Sequence, residues 1–262
     1  MNQQSNSVIR NNVMQLMDIK GEAERRLPDP KRDRFNMSDS SETSVHEDLN
    51  GNRIVINRDN IAIATQYPFD YQLETQFQMM VDNRTPALVI LASNYDIQKN
   101  KLPDYFSSPQ TFGQIKTGSI PIRRVELGNR IEAYVYKMDV SGYQEAIDIP
   151  LIHVHNWPDH QTVSPETTTK LVALIESTIA EKREFYEKQN DSAINDPEKM
   201  LPVIHCRAGV GRTGQTIAAM AMKRNPELSL ASITKDLRVS RNNSMIQTPI
   251  QMETLVRLEV ST

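Results

Sequence analysis

Two hydrophobic periods alternate along this chain. Short apolar runs of strand length are separated by longer segments in which apolar residues recur every three or four positions. The densest run, Ala87-Leu88-Val89-Ile90-Leu91-Ala92, predicts a strand covered on both faces. Residues 53–57 and 61–66 predict two strands around Arg58-Asp59-Asn60, and residues 130–140 and 146–156 predict a pair joined through Ser141-Gly142. A further short strand is expected over 202–206. Helical spacing covers 71–81. A stronger helix starts at Ser164-Pro165-Glu166, which supplies a cap, a first-turn proline and an acid at the positive end of the dipole. Its apolar face is Leu171, Val172, Leu174, Ile175 and Ile179. Helices are also predicted from Thr213 to about Arg224, over 229–241 and over 249–260.

Residues 1–27 carry a weaker amphipathic spacing through Val8, Ile9, Val13, Leu16 and Met17, stopped by Pro28-Asp29-Pro30. Polar stretches at 36–50, 94–117 and 190–199 predict loops. Strands interleaved with helices, some strands in hairpins, predict an α/β fold: a single domain with a twisted mixed sheet flanked by helices. The expected division of residues 1–262 is a helical lead over 1–30 and a core over 31–262.

Composition removes several function classes. The chain of 262 residues is 38% hydrophobic, enough for one large core. No apolar run is long enough to cross a bilayer, so no membrane insertion is expected. A net charge of −3 gives no general attraction to nucleic acid. One cysteine rules out an intramolecular disulfide, and a free thiol fits a reducing compartment. The amino terminus carries no charged-then-apolar secretory signal, so the expectation is a soluble protein, exported, if at all, by another route.

That cysteine lies in His205-Cys206-Arg207-Ala208-Gly209-Val210-Gly211-Arg212-Thr213-Gly214, directly after the apolar Val203-Ile204. The passage reads as a strand, a glycine loop and a helix. Such a loop turns several backbone N–H groups toward one point, and the helix N-terminus adds partial positive charge, a setting for a phosphate dianion. Cys206 at its base is favoured as a thiolate by these dipoles and by Arg212, whose planar fork can hold two phosphate oxygens. The backbone of Arg207, Ala208, Gly209, Val210 and Gly211 would complete the cradle, with phosphate, vanadate or sulfate as its expected small anions. A nucleophile inside a phosphate cradle implies transfer through a phosphocysteine. A lone cysteine is more often a small buried hydrophobe, but Cys-x5-Arg-Thr on this pattern is far more specific. A nucleotide-binding loop is excluded because no Gly-Lys-Ser/Thr follows and the third glycine of the dinucleotide pattern is misplaced.

Ester cleavage at neutral pH also needs a proton donor for the leaving oxygen. Trp157-Pro158-Asp159 puts a carboxyl on a loop between a strand and the Ser164 helix, where it could close over substrate. Together, HCRAGVGRTG and NWPD resemble the tyrosine-specific protein phosphatases, and HVHNWPDH with SRNNSMIQ is similar to the bacterial, type III secreted branch of that family.

The resemblance implies further assignments. Gln247 and Gln251 would place the water that hydrolyses phosphocysteine. Phe35, in Asp33-Arg34-Phe35-Asn36, would stack on the phosphotyrosine ring. His205 and Thr213 would keep Cys206 ionised, and Trp157 would anchor the closing loop. The partners implied are phosphotyrosine-containing proteins, with no metal or other cofactor, a monomeric state, and delivery through a type III system into a host cytosol. Residues 1–30 are short for a secretion and chaperone-binding region, which leaves a catalytic fragment, a reduced homologue or an engineered chain open.

Two positions depart from the family. Met37 stands where an acid usually holds the substrate backbone, so either Asp39 substitutes or that recognition is weaker. Asp96 stands where a Glu usually braces the cradle arginine, so its loop must come closer.

Three rivals remain in view. A metal-dependent hydrolase would use His153-x-His155, with His160 and His205 nearby in sequence. A non-catalytic phosphotyrosine-binding domain would usually lack Cys206, Arg212 or Asp159, yet all three are present. A dual-specificity or lipid phosphatase would usually lack the aromatic rim.

Overall fold

A computed structural model describes residues 3–260; residues 1–2 and 261–262, the ends of the expected domain, lie outside the described residues. Seven α-helices and ten strands are assigned among the described residues. In chain order they are α1 (Gln3–Met17), β1 (Arg25–Arg26), β2 (Asp39–Ser40), β3 (Gly51–Ile56), β4 (Asp59–Thr65), α2 (Leu73–Asp82), β5 (Leu88–Ile90), α3 (Asn94–Lys99), β6 (Gln110–Phe112), β7 (Ile115–Gly128), β8 (Ile131–Ser141), β9 (Ile147–Val154), α4 (Pro165–Lys188), β10 (Val203–His205), α5 (Gly211–Arg224), α6 (Leu230–Ser240) and α7 (Pro249–Glu259).

The main sheet runs β3-β4-β10-β5-β9-β8-β7-β6. Its centre, β4-β10-β5-β9, is parallel, and the flanks are antiparallel. The expected mixed α/β sheet is therefore present. The central strands are buried on both faces, which explains why residues 87–92 read as an unbroken apolar run. One face packs under α1, α4, α5, α6 and α7 through residues such as Ile54, Val89, Ile152, Leu171, Ile217 and Leu255. The opposite face packs against α2 and a chain of aromatics, including Phe77, Tyr105 and Phe106.

Local chemistry sets the element ends. Ser164, Ser229 and Thr248 cap α4, α6 and α7 by accepting from backbone N–H groups in the first turn. The β3–β4 turn is Asn57-Arg58, both at positive φ, one residue earlier than the expected centre.

The sequence expectations differ from the structure in four places. The first helix stops at Met17, well before residue 27, and the chain then runs extended into β1. The expected loop over 36–50 contains β2, which pairs with β1. The expected loop over 94–117 contains α3, β6 and the start of β7. β7 itself was not foreseen, because half its residues are exposed and Gly118 and Pro121 interrupt it. It is carried by pairing with β8, which shifts register at Pro121/Arg123 and again at Glu126/Gly128.

Candidate active site

The loop after β10 is held by its carbonyls. Cys206 O accepts from His205 Nδ1 at 2.9 Å, Arg207 O from Tyr67 N at 3.0 Å, and Ala208 O from Arg241 at 3.1 Å. Gly209 O accepts from Arg241 Nε at 2.7 Å, and Val210 O from Ile246 N at 3.1 Å. With these carbonyls turned outward, planar trans peptides aim the following N–H groups inward. Gly209 N–H points at Cys206 Sγ, 3.3 Å away. Gly209 sits at φ +70°, and a Cβ there would lie 2.0 Å from Thr65 O, so only glycine fits.

Cys206 is 2% exposed at the base of this loop. Burial alone would raise its pKa. The charge of Arg212 and the hydroxyl and N–H of Thr213 outweigh burial, and the thiol is held below its ordinary value. Thr213 Oγ1 is buried and has no partner in strict hydrogen-bond geometry, so Arg212 carries more of this effect. His205 is fully buried between Cys206 O and the Tyr105 hydroxyl, with Nε2 2.6 Å from the latter. A carbonyl can only accept, so Nδ1 bears the hydrogen and Nε2 accepts from Tyr105. Burial pushes the His205 pKa down to about 4, so the ring is neutral at pH 7.

Helix α5 begins two residues before the expected Thr213, which places Arg212 in its first turn. The guanidinium is 0% exposed. Its NH1 donates to Asp96 Oδ2 at 2.6 Å, Trp157 O at 2.9 Å and Leu91 O at 3.1 Å, and its NH2 donates to Asp159 Oδ1 at 2.8 Å. Burial opposes its charge, but Cys206, Asp159 and Asp96 more than compensate and raise its pKa. Its Nε is buried with no partner among the described residues, an N–H left for an acceptor the protein does not supply.

Asp96 therefore does reach Arg212. It manages this by standing at the start of α3, where it and Ser93 cap each other's backbone N–H groups and draw the loop inward. Burial would raise its pKa, but Arg212 and the Ser93 hydrogen bonds hold it low. Trp157 is fully buried and donates to Gln161 O at 3.0 Å, which fixes the base of the Asp159 loop. Gln251 Nε2 donates to the same carbonyl, while its Oε1 accepts from the N–H groups of Gln247 and Thr248. Both glutamine side chains stand over the loop: a Cβ on Gly211 would lie about 3.1 Å from Gln247 Oε1 and from Gln251.

A model of the protein-tyrosine phosphatase family matches residues 28–260. The chain belongs to the protein-tyrosine phosphatase family. YopH of Yersinia pseudotuberculosis, a tyrosine-protein phosphatase, is 43% identical over 222 residues, covering 83% of this chain and 47% of YopH. SptP of Salmonella paratyphi A, a secreted effector protein, is 33% identical over 201 residues, covering 76% of this chain and 35% of SptP. The chain thus spans about half of the YopH relative and a third of the SptP relative. A solved structure of PTPN18 with HER2 phosphopeptides shares the fold at a TM-score of 0.70 and 16% identity, covering 97% of this chain and 91% of that one.

In this phosphatase-family chain Phe35 stands beside the first residue of the cradle loop. Phe35 is half-buried, with the Arg207 guanidinium 5.1 Å from its ring centroid. Asp39 does not take the place of the missing acid. It is fully buried and bonded to Arg26. Met37 is half-buried and packs onto the main core. A groove of about 660 Å³ opens beside Asp159, lined by Tyr95, Lys99, His155, His160 and Arg207 among others.

The histidines of the metal reading do not converge. His153 is bonded to Ala92 O, His155 faces Glu132, and His160 is exposed beside Asp159. No cluster of three metal-ligating side chains occurs among the described residues.

Sequence reasoning missed Arg241, Asn50, Asn52, Tyr67 and Tyr105. Arg241 is fully buried, holds Ala208 O and Gly209 O, and is itself held by Asn50 Oδ1 at 2.7 Å and Asn52 Oδ1 at 2.8 Å. Asn50 in turn donates to Asp33, which ties the segment before Phe35 to the cradle. No motif spacing announces these partners, which lie far apart in the chain.

Proposed function

We propose that this chain is a metal-independent, cofactor-free protein-tyrosine phosphatase acting through phosphocysteine. One observation carries the reading: a buried, acidified thiol beneath inward N–H groups, beside an arginine whose Nε lacks an acceptor. Phosphate supplies that acceptor and binds on the cradle N–H groups of 207–212. It also competes with Asp159 for Arg212 NH2, which releases the carboxyl toward the leaving oxygen.

The Cys206 thiolate attacks phosphorus in line. An S–P bond forms, the P–O bond to tyrosine breaks, and Asp159 delivers its proton to the phenolate. Gln247, oriented through Gln251, then places a water on phosphorus. Asp159 takes that water's proton, the S–P bond breaks, and phosphate leaves with the thiolate restored. His205 holds the Cys206 carbonyl outward, Thr213 favours the thiolate, and Trp157 anchors the moving loop.

Phe35 selects an aromatic phosphate, and phosphotyrosine proteins are the substrates. Phosphate, vanadate and sulfate occupy the same cradle. Residues 1–262 act as one monomeric catalytic domain, with a lead over 1–30 that is helical over Gln3–Met17. The SptP relative's name supports a secreted effector; the proposal places its action inside a host cell, with type III export as the route. No helix among the described residues is long and apolar enough to cross a membrane.

The test is turnover of p-nitrophenyl phosphate. It should be undiminished in EDTA and abolished by Cys206→Ser. Loss in EDTA with survival of the Cys206→Ser variant would overturn the reading.

A further inference from the structure

The second half-reaction depends on where Gln247 stands, and Gln247 hangs from a short backbone segment. Met245 and Ile246 precede it. Ile246 sits at φ +61° and donates its N–H to Val210 O. This segment lies hard against α5: a Cβ on Gly214 would come within 2.5 Å of Ile246 N. One face of the segment is thereby fixed by the cradle. The other face is held by a side chain that the chemistry does not use.

Arg238, in the last turn of α6, is 1% exposed. Its Nε donates to Met245 O at 3.2 Å. Its NH1 donates to Met17 O at 2.8 Å and Ile19 O at 2.5 Å, with Leu16 O at 3.4 Å. Leu16 O and Met17 O end α1, where a helix leaves its last acceptors without intrahelical partners, and Ile19 O lies just beyond it. Among the described residues no carboxylate lies within ion-pair distance of Arg238; carbonyl oxygens accept its hydrogen bonds, and the charge of Asp18 favours its protonated form from further away.

The strap after α1 is attached to the same place. Gly21 N donates to Asn243 Oδ1 at 2.8 Å, and a Cβ on Gly21 would lie 2.2 Å from Val239 N. Arg25 donates to Gly21 O, Arg238 O and Arg241 O. Val13 and Leu16 of α1 are buried in the same core as Met252, Leu255 and Val256 of α7, the helix that carries Gln251.

We propose that Arg238 is a positioning residue that fastens the amino-terminal helix to the Gln247 backbone, so that α1 and its strap govern phosphocysteine hydrolysis more than its formation. This rests on the reading of Gln247 as the water-placing group. Formation of phosphocysteine needs Cys206, Arg212 and Asp159. The cradle carbonyls of residues 206–209 are held by His205, Tyr67 and Arg241, none of which bonds the Arg238 side chain; only Val210 O is held from the Met245–Gln247 segment. Hydrolysis needs a water aligned to within a fraction of an ångström. A shift of about 1 Å in the group that aligns it lowers a rate by up to about 100-fold.

Stopped-flow turnover of p-nitrophenyl phosphate separates the two steps. In Arg238→Gln, the rate constant for nitrophenol release in the first turnover should stay within about twofold, while phosphocysteine hydrolysis falls about 10- to 100-fold. A burst equal to the active enzyme then appears. Because the burst counts only folded, active molecules, partial unfolding does not mimic it. Arg238→Lys should not restore the rate, since one ammonium cannot span both sets of carbonyls.

Asn243→Ala removes, from an exposed residue of the segment before Gln247, the acceptor of the strap's Gly21 N–H and should move the same way by a few-fold; it decides the matter if Arg238→Gln does not fold. Gln247→Ala is the reference and should show the largest burst. Equal slowing of both steps, or no change in either, while Gln247→Ala shows its burst would overturn the coupling. Absence of a burst in Gln247→Ala would overturn the role of Gln247 and the proposal with it.

Discussion

The floor of the cradle and its rim are built on opposite terms. On the floor, His205, Cys206, Arg212 and Arg241 are buried, and each loop carbonyl from Cys206 to Val210 has a named donor. At the rim, Phe35 is half-exposed under one cation, and the Asp159 side chain keeps 26% of its surface in solvent. The contrast follows from what each must do. The floor stabilises charge, which needs fixed dipoles and little water. In the proposed reaction the rim admits and releases a substrate and closes over it, which needs a segment with few obligatory bonds. Changes to the floor should therefore remove chemistry or stability, and changes to the rim should alter rate and selection.

The largest effect tests the floor's centre. Cys206→Ser should lower kcat by at least about 1,000-fold while a phosphotyrosine peptide still binds, measured by calorimetry. Measurable burst kinetics in that variant would mean another nucleophile. Next comes the residue that bridges floor and rim. Asp159→Ala should lower kcat about 100- to 10,000-fold. It also removes a competitor for Arg212 NH2, so vanadate and phosphopeptide should bind more tightly. Weaker binding would show that Asp159 assists the anion rather than yielding to it.

Two stability effects are smaller. Arg241→Met strands Ala208 O, Gly209 O and two asparagine oxygens, and should destabilise the fold by about 2–4 kcal/mol in urea. Acidification acts through His205 and His153, whose burial lowers both pKa values to about 4. Below about pH 6.5 the unfolded chain takes up protons that the folded chain refuses until about pH 4. Stability should therefore fall with pH across that window, by about 1.4 kcal/mol per unit for each histidine. His153→Gln should remove one such slope between about pH 6 and about pH 5. An unchanged slope would mean that His153 charges within the fold.

The two regions also differed in how far they could be read in advance. Cys206, Arg212 and Thr213 lie within one strand–loop–helix, so local spacing announces them, and the apolar run at 87–92 announces the sheet centre. Asp96 was placed by resemblance, and only the shared cap with Ser93 explains how the shorter acid reaches Arg212. Arg241 stands inside SRNNSMIQ without a role that spacing can assign, and Tyr105 carries no signal, because their value lies in a carbonyl and a ring that only the tertiary fold brings near. Likewise β7 is stabilised by its partner strand rather than by a buried face, so no hydrophobic period marks it. The uncertainty over Met37 and Asp39 was one of burial. Asp39 is spent on Arg26, and Met37 packs onto the core.

The smallest effect addresses the rim alone. Phe35 has no hydrogen bond to the cradle; its ring is steadied by Arg207 and its backbone by the turn that joins Phe35 O to Met37 N. Its energetic reach is that of one aromatic contact, about 0.5–1.5 kcal/mol beyond the area it covers. Phe35→Ala should raise KM for a phosphotyrosine peptide about tenfold, leave kcat nearly unchanged, and leave a phosphoserine peptide as poor a substrate as before. Met37→Asp supplies the absent acid, but at a side chain that packs onto the core. It should therefore destabilise by about 1–2 kcal/mol without lowering KM for any peptide. A lowered KM would show that this rim can turn residue 37 outward when substrate arrives. A large fall in kcat for Phe35→Ala would show that the rim also sets the geometry of the floor, through Asp33 and Asn50.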